Sequence, residues 1–247
     1  ALSSTQLNAL GTSQVAALTK QLVAALTTGQ VAGFSTSSLQ ALSTGNIAGL
    51  SNDQIKALST SQVNALTTSQ VKALELTDVA VFSSSQVGAL TTTQLGALSS
   101  SQIQSLTTGA MAGLSTSTVA ALTTTQVNSV TAAQLSSLAT TQVAALTTTQ
   151  LNAASVSLVN ALTTAQVAAI GTSTVQGLTT GVIQTLTSTQ VAGMSTAQVA
   201  ALTTSQVVAL QTDDFKAFST AQLRALTTTQ IPKIEAEDIR ALSSTQL

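Results

Sequence analysis

Residues 3–34 read SSTQLNAL GTSQVAAL TKQLVAAL TTGQVAGF, four blocks of eight in which the same residue types return at the same places. The blocks continue without insertion or deletion through EAEDIRAL at residues 235–242, thirty octads in all, with the consensus [ST]-[ST]-x-Q-[VIL]-x-[AG]-L. A short period sustained over a whole chain is the mark of a repeat architecture. We label the octad positions a to h from Ser3. Positions e (Leu7, Val15 and onward to Leu247) and h (Leu2, Leu10 and onward to Leu242) are apolar in every octad. All four phenylalanines and both methionines occupy them: Phe34, Phe82, Phe218 and Met194 at h, Phe215 and Met111 at e. They therefore read as core.

Three features separate helix from strand. In a strand, e and h, three apart, would face opposite sides of the sheet. In a helix they share one face. A continuous helix is excluded, because eight residues at 3.6 per turn overshoot two turns by roughly 80° and the apolar stripe would wander around the rod. One short helix per octad remains. Ser or Thr at a with Gln at d is a capping box, and h with e stands at the spacing of a hydrophobic staple. The few charges sort accordingly. All eight acids lie at a, c or d (Asp53, Glu75, Asp78, Asp213, Asp214, Glu235, Glu237, Asp238). Six of seven bases lie at f or g (Lys56, Lys72, Lys216, Arg224, Lys233, Arg240), with Lys20 apart. Acids in a first turn and bases in a last turn complement the helix dipole.

Helices this short are unstable alone, so the octads must stack into a solenoid. The expected fold is all-α, one very short helix per octad. The five glycines at g (Gly33, Gly49, Gly113, Gly177, Gly193) lie an even number of octads apart. They favour two helices, or two octads, per coil, with small residues where layers approach closely; a three-helix coil is the alternative. Fifteen two-helix coils at the usual helix spacing would extend on the order of 130 Å. Pro232, at f inside an expected helix, conflicts with this scheme, because it removes a backbone hydrogen bond. Residues 1–247 are expected to form one continuous array. Neither end carries the polar capping repeat of a free-standing solenoid, so the array is expected to be a window from a longer repetitive protein or a unit that joins end to end. The recurrence of ALSSTQL at residues 1–7 and 241–247 is consistent with a larger period of 240 residues.

Composition excludes several functions. Only 6% of residues are charged, the net charge is −1, and His, Cys, Trp and Tyr are absent, against about 25% charged in an ordinary domain. There is no basic patch for nucleic acid, and no apolar run approaches the roughly 18 residues of a membrane span. Nucleophilic catalysis lacks a histidine base; a Ser–Lys pair at Lys20 is outweighed by a solvated side chain. The acidic pairs at 213–214 and 235–238 lack the ligand spacing of a calcium loop. No catalytic, cofactor-binding or metal-binding residue is expected, and no cofactor. The threonine runs at 91–93, 123–125, 147–149 and 227–229 could form a regular hydroxyl row facing ice, polysaccharide or a partner filament; as caps and first-turn residues they have a simpler role.

Stretches such as LTTTQVNSVTAAQL (122–135) and STAQVAALTTSQV (195–207) resemble the Thr-Gln-Val/Ala-Leu arrays of very large secreted or surface proteins of Gram-negative bacteria, of the adhesin or so-called haem-utilisation type. The resemblance implies export to the cell surface, a stalk or filament role without catalysis, self-association end to end or laterally, and contact with cell-surface or matrix polysaccharide. The haem label finds no ligand among these residues, since both methionines read as core.

Overall fold

The computed structural model describes residues 2–247. Among them are 29 short α-helices, from Ser4–Asn8 to Ala236–Ala241, one 3-10 turn at Ile231–Lys233, and no strand. The helices recur with the octad, one in each, as the capping pattern requires. Pro232 sits in the single octad whose helix is 3-10, where its missing N–H leaves the α pattern unfilled.

Each corner is made the same way. In the octad 59–66, Ser59 is the N-cap, Gln62 is the third helical residue, and Leu66 closes the helix by donating its N–H to Val63 O at 3.2 Å. Leu66 (φ −56°, ψ 137°) and Thr67 (φ −70°, ψ 158°) are then extended, so the chain turns from one helix into the next cap across this pair. No residue among those described has positive φ. Leucine can therefore stand at the corner where a left-handed turn would have demanded glycine.

The e and h side chains point inward and make the core. Val63 and Ile55 are fully buried, Leu58 and Leu66 nearly so, and the large residues Phe34, Phe82, Met111, Met194, Phe215 and Phe218 are all buried. Phe215 and Phe218 meet edge to face, ring centres 5.7 Å apart and planes at 82°, the arrangement that aromatic quadrupoles favour.

The coil is three helices long, correcting the expected two. Helices pack against the helix three octads away: Thr36–Ala41 on Thr60–Ala65, Ser100–Ser105 on Thr124–Ser129, Thr196–Ala201 on Thr220–Ala225. One turn of the solenoid is thus three octads. The even spacing of the five g glycines reflects which octads carry them, not the length of the coil. What they mark, close approach between layers, is correct. A Cβ on Gly33, Gly49, Gly113, Gly177 or Gly193 would collide with Ser4, Lys20, Ser84, Thr148 or Thr164 respectively. Each partner stands at position b, three octads earlier and therefore one coil below.

These contacts give a paired prediction. The Cβ of Gly113→Ala would overlap the backbone of Ser84, which cannot move aside as a side chain can; overpacking of this kind is expected to cost about 3 kcal/mol. Gly96 lies in the helix Thr92–Ala97 with nothing within 4 Å of its Cβ position, so Gly96→Ala should stabilise by about 1 kcal/mol through helix propensity. Denaturant unfolding of the two variants, compared with the parent, checks the sign of each.

The chain divides into two compact units, Ala1–Val130 and Thr131–Leu247. Both units have the three-octad layering: Gln62 reaches Val31 in the first and Gln198 reaches Val167 in the second, the same interval in each.

Candidate functional site

The feature that recurs from corner to corner is the glutamine at d. Sequence reasoning gave it one role, closing the capping box. The structure gives it two. Gln62 Oε1 accepts the N–H of its own N-cap Ser59 at 2.8 Å, while Ser59 Oγ accepts the Gln62 N–H at 3.2 Å. The other end of the same amide, Nε2, reaches one coil down and donates to Val31 O at 2.9 Å and Phe34 O at 3.0 Å. Those carbonyls lie at and just past the end of the helix Thr28–Ala32; Val31 O already accepts the Phe34 N–H at 3.1 Å, and the amide adds a second donor there and one at Phe34 O. One side chain thus caps the start of its own helix and the end of another. The arrangement recurs at Gln70, Gln94, Gln166, Gln190, Gln198, Gln206, Gln222 and Gln230. These glutamines are almost fully buried, Gln198 and Gln206 at 1% exposure. Among the described residues no buried side-chain N or O lacks a partner. The second role had no signature in the sequence, because its acceptors are backbone carbonyls that any residue supplies.

Where the octad lacks a hydroxyl at a, only the glutamine half of the box forms: Gly11 and Ala139 each give their N–H to the glutamine at d, at 2.8 and 2.7 Å. Where d is shorter, the downward reach changes. Asn46 Nδ2 still donates to Leu18 O on the coil below, at 2.8 Å. Three octads carry aspartate at d: Asp78, Asp214 and Asp238. These are the same three octads whose a position is Glu75, Gln211 or Glu235 instead of Ser, Thr, Gly or Ala. Long and short residues exchange places in the box. Asp78 Oδ2 and Asp214 Oδ2 accept the N-cap N–H of Glu75 and Gln211, each at 2.8 Å. In the second case the long N-cap takes over the contact below: Gln211 Nε2 donates to Gln184 O at 3.1 Å. Burial raises the pKa of Asp78 and Asp214 above the usual carboxylate value, opposed by those N–H bonds.

The remaining candidates fall into structural roles. The stem of Lys20 lies over Gly49. The acids and bases stand in first and last turns as the dipole pattern requires. Two exposed pairs form, Lys56–Asp53 at 3.5 Å and Lys216–Asp213 at 2.9 Å, of the kind that contributes little. Among the described residues no group of three or more acids, His or Cys gathers as metal ligands, and no helix is long and apolar enough to cross a membrane. Within neither unit do the threonine runs align into a row. Those starting at Thr91 and Thr123 in the first unit are four octads apart, and those starting at Thr147 and Thr227 in the second are ten octads apart. Neither interval is a multiple of the three-octad coil, so the runs of each unit lie on different sides.

With this geometry in view, the family assignment follows. The sequence matches the ALTTAQ repeat at residues 1–28, 47–75, 71–108, 183–212 and 207–232, together more than half of the chain. The chain belongs to the ALTTAQ repeat family. No curated protein matches it.

Proposed function

We propose that the chain is a non-enzymatic structural section of a secreted or surface-displayed bacterial protein, serving as a stalk or filament segment. The observation that carries this reading is the commitment of the buried glutamine amides to the caps between coils. They are occupied in holding one coil on the next. A surface rich in serine and threonine with few charges is also insensitive to salt, which suits a part exposed to a changing medium. The resemblance to surface-protein arrays points the same way. The test is immunolabelling of intact cells that make the protein: labelling without permeabilisation is expected, and labelling only after permeabilisation overturns the extracellular placement.

End-to-end association belongs to the same proposal. Within each unit, coils join through apolar side chains at e and h plus amide-to-carbonyl bonds, a contact that a second copy of the chain can also make. Sedimentation of the chain over a range of concentrations should show reversible growth in mass; a monomer at every concentration overturns this part.

A further inference from the structure

We infer that Asp78 and Asp214 are proton-operated staples between coils, which lock when their carboxyls are protonated and loosen when they ionise. At glutamine d positions such as Gln70 and Gln94, a donor faces the corner carbonyl one coil below, Leu42 O or Leu66 O. At the two aspartates the corresponding carbonyls belong to Leu50 and to Leu186, and neither receives a hydrogen bond from the described residues. An ionised carboxylate has no proton to give, so nothing at d can meet that carbonyl, in a site where Asp78 and Asp214 are each only 2% exposed.

A protonated aspartic acid has the shape of asparagine, and Asn46 shows what that shape does here: its Nδ2 spans the same interval, to Leu18 O at 2.8 Å. With a proton on the oxygen that does not accept the N-cap N–H, Asp78 would donate to Leu50 O and Asp214 to Leu186 O. Each carboxyl would then add the downward bond, which Asn46 makes without also accepting its N-cap N–H. The unmet carbonyls and the buried charge are removed by one protonation.

The surroundings do not supply a counter-charge that would hold either carboxylate ionised. The helix of Asp78, Leu76–Ala80, packs on Ser100–Ser105, which carries no charge, and on Asn52–Ala57, whose Asp53 and Lys56 pair with each other. Glu75 beside it adds a like charge, Lys20 a weaker opposite one, and Lys72 lies on the preceding helix. The helix of Asp214, Thr212–Ala217, packs on the uncharged Ser188–Ala192 and on Ala236–Ala241, which bears Glu237, Asp238 and Arg240. Asp213 is paired with Lys216, and both Asp213 and Asp238 act on Asp214 as like charges.

The sign follows from linkage. A carboxyl whose folded pKa lies above its unfolded one binds more protons when folded. Its stabilising contribution is complete below the ordinary aspartate pKa of 3.8 and is lost as pH rises through the raised folded value. These two groups should therefore make the solenoid firmer in mild acid than at neutrality, the reverse of the usual paired carboxylate.

The experiment is thermal unfolding of the full chain and of Asp78→Asn/Asp214→Asn, followed by circular dichroism from about pH 7 to about pH 4. Asparagine carries a permanent donor of the kind that Asn46 uses towards the coil below. At neutral pH the variant is expected to melt higher, by about 3 °C for each staple restored, and the gap should close on acidification as the parent protonates. A gap independent of pH, or a variant that melts lower at neutrality, overturns the proposal. Asp78→Ala, which has neither cap nor donor, should melt below the parent in mild acid; if it melts with the parent there, the protonated carboxyl is not bonded and the proposal also fails.

Discussion

Gln198→Glu is expected to destabilise the second unit by about 3 kcal/mol near neutral pH, although it changes one atom and almost no volume. Gln198 Oε1 accepts from Ser195 N–H at 2.7 Å, and the glutamate oxygen that replaces it can still do so. The loss is on the other side. Nε2 now donates to Val167 O at 2.8 Å and Ile170 O at 2.6 Å; in the variant a carboxylate oxygen faces both carbonyls at the same positions. The residue is 1% exposed, so water cannot relieve the contact. Gln198→Met, similar in length but without donor or charge, should lose less, because it leaves only Ile170 O without its donor, Val167 O keeping the Ile170 N–H at 3.1 Å, and it buries no ion. Urea unfolding at neutral pH measures both. If glutamate and methionine cost the same, the opposition of charge to carbonyls is not what the site resists. Acidification provides a second check: the glutamate variant should recover towards the parent as its carboxyl gains a proton, whereas the methionine variant should not.

That a glutamine should matter this much was half legible. The octad register, the helical state, the core positions e and h and the capping box all follow from residue spacing. Ser59, Gln62, Val63 and Leu66 stand in the structure where that spacing puts them. These are interactions between residues of the same or adjacent octads, and their partners can be seen in the sequence. The length of the coil is different in kind. It is set by which helix lies beneath which, and the polar contacts that fix it run from a glutamine amide to backbone carbonyls on the coil below, as from Gln62 to Phe34 and Val31. A carbonyl has no letter. The one side-chain trace of layering, glycine at g above a residue at b, was visible only as glycine. Its partners Ser4, Lys20, Ser84, Thr148 and Thr164 vary too much to identify themselves. Read by spacing alone, five glycines on alternate octads implied a coil of two octads; read with their partners they imply three.

The polar caps also explain how so thin a core suffices. Each octad contributes two main apolar side chains, at e and h, so each coil has few of them to offset the entropy of ordering its backbone. The helices add little by themselves, each being one or two turns. What the fold gains in each coil is satisfaction of both helix ends by the same side chains, without long loops. Short extended corners keep every helix end within reach of the next coil. The charged residues are dispensable to this scheme, which accounts for a surface of hydroxyls and amides with two exposed ion pairs among the described residues.

Leu66→Asp is expected to have the largest effect of any single change in the first unit, about 5 kcal/mol, the sum of a lost core leucine and a buried unpaired carboxylate. Leu66 is 3% exposed at the corner between Thr60–Ala65 and Thr68–Ala73, and its carbonyl receives Gln94 Nε2 at 2.6 Å. Moving the side chain out of the core would drag that carbonyl with it, so the core loss and the loss of the interlayer bond are coupled. In an array where each coil touches only the coils next to it, such damage should remain local and cooperative units should shrink. Hydrogen exchange would show it as lost protection in the helices that pack on the damaged corner, Thr36–Ala41 and Thr44–Ile47 below and Ser84–Gly88 and Thr92–Ala97 above. Protection around Ser4–Asn8 and Thr124–Ser129 should survive. Full protection at Leu66 and its neighbours would mean that position h is not core. Uniform loss from Ser4 to Ser129 would mean that the unit unfolds as one body, with stability that is not the sum of its coils.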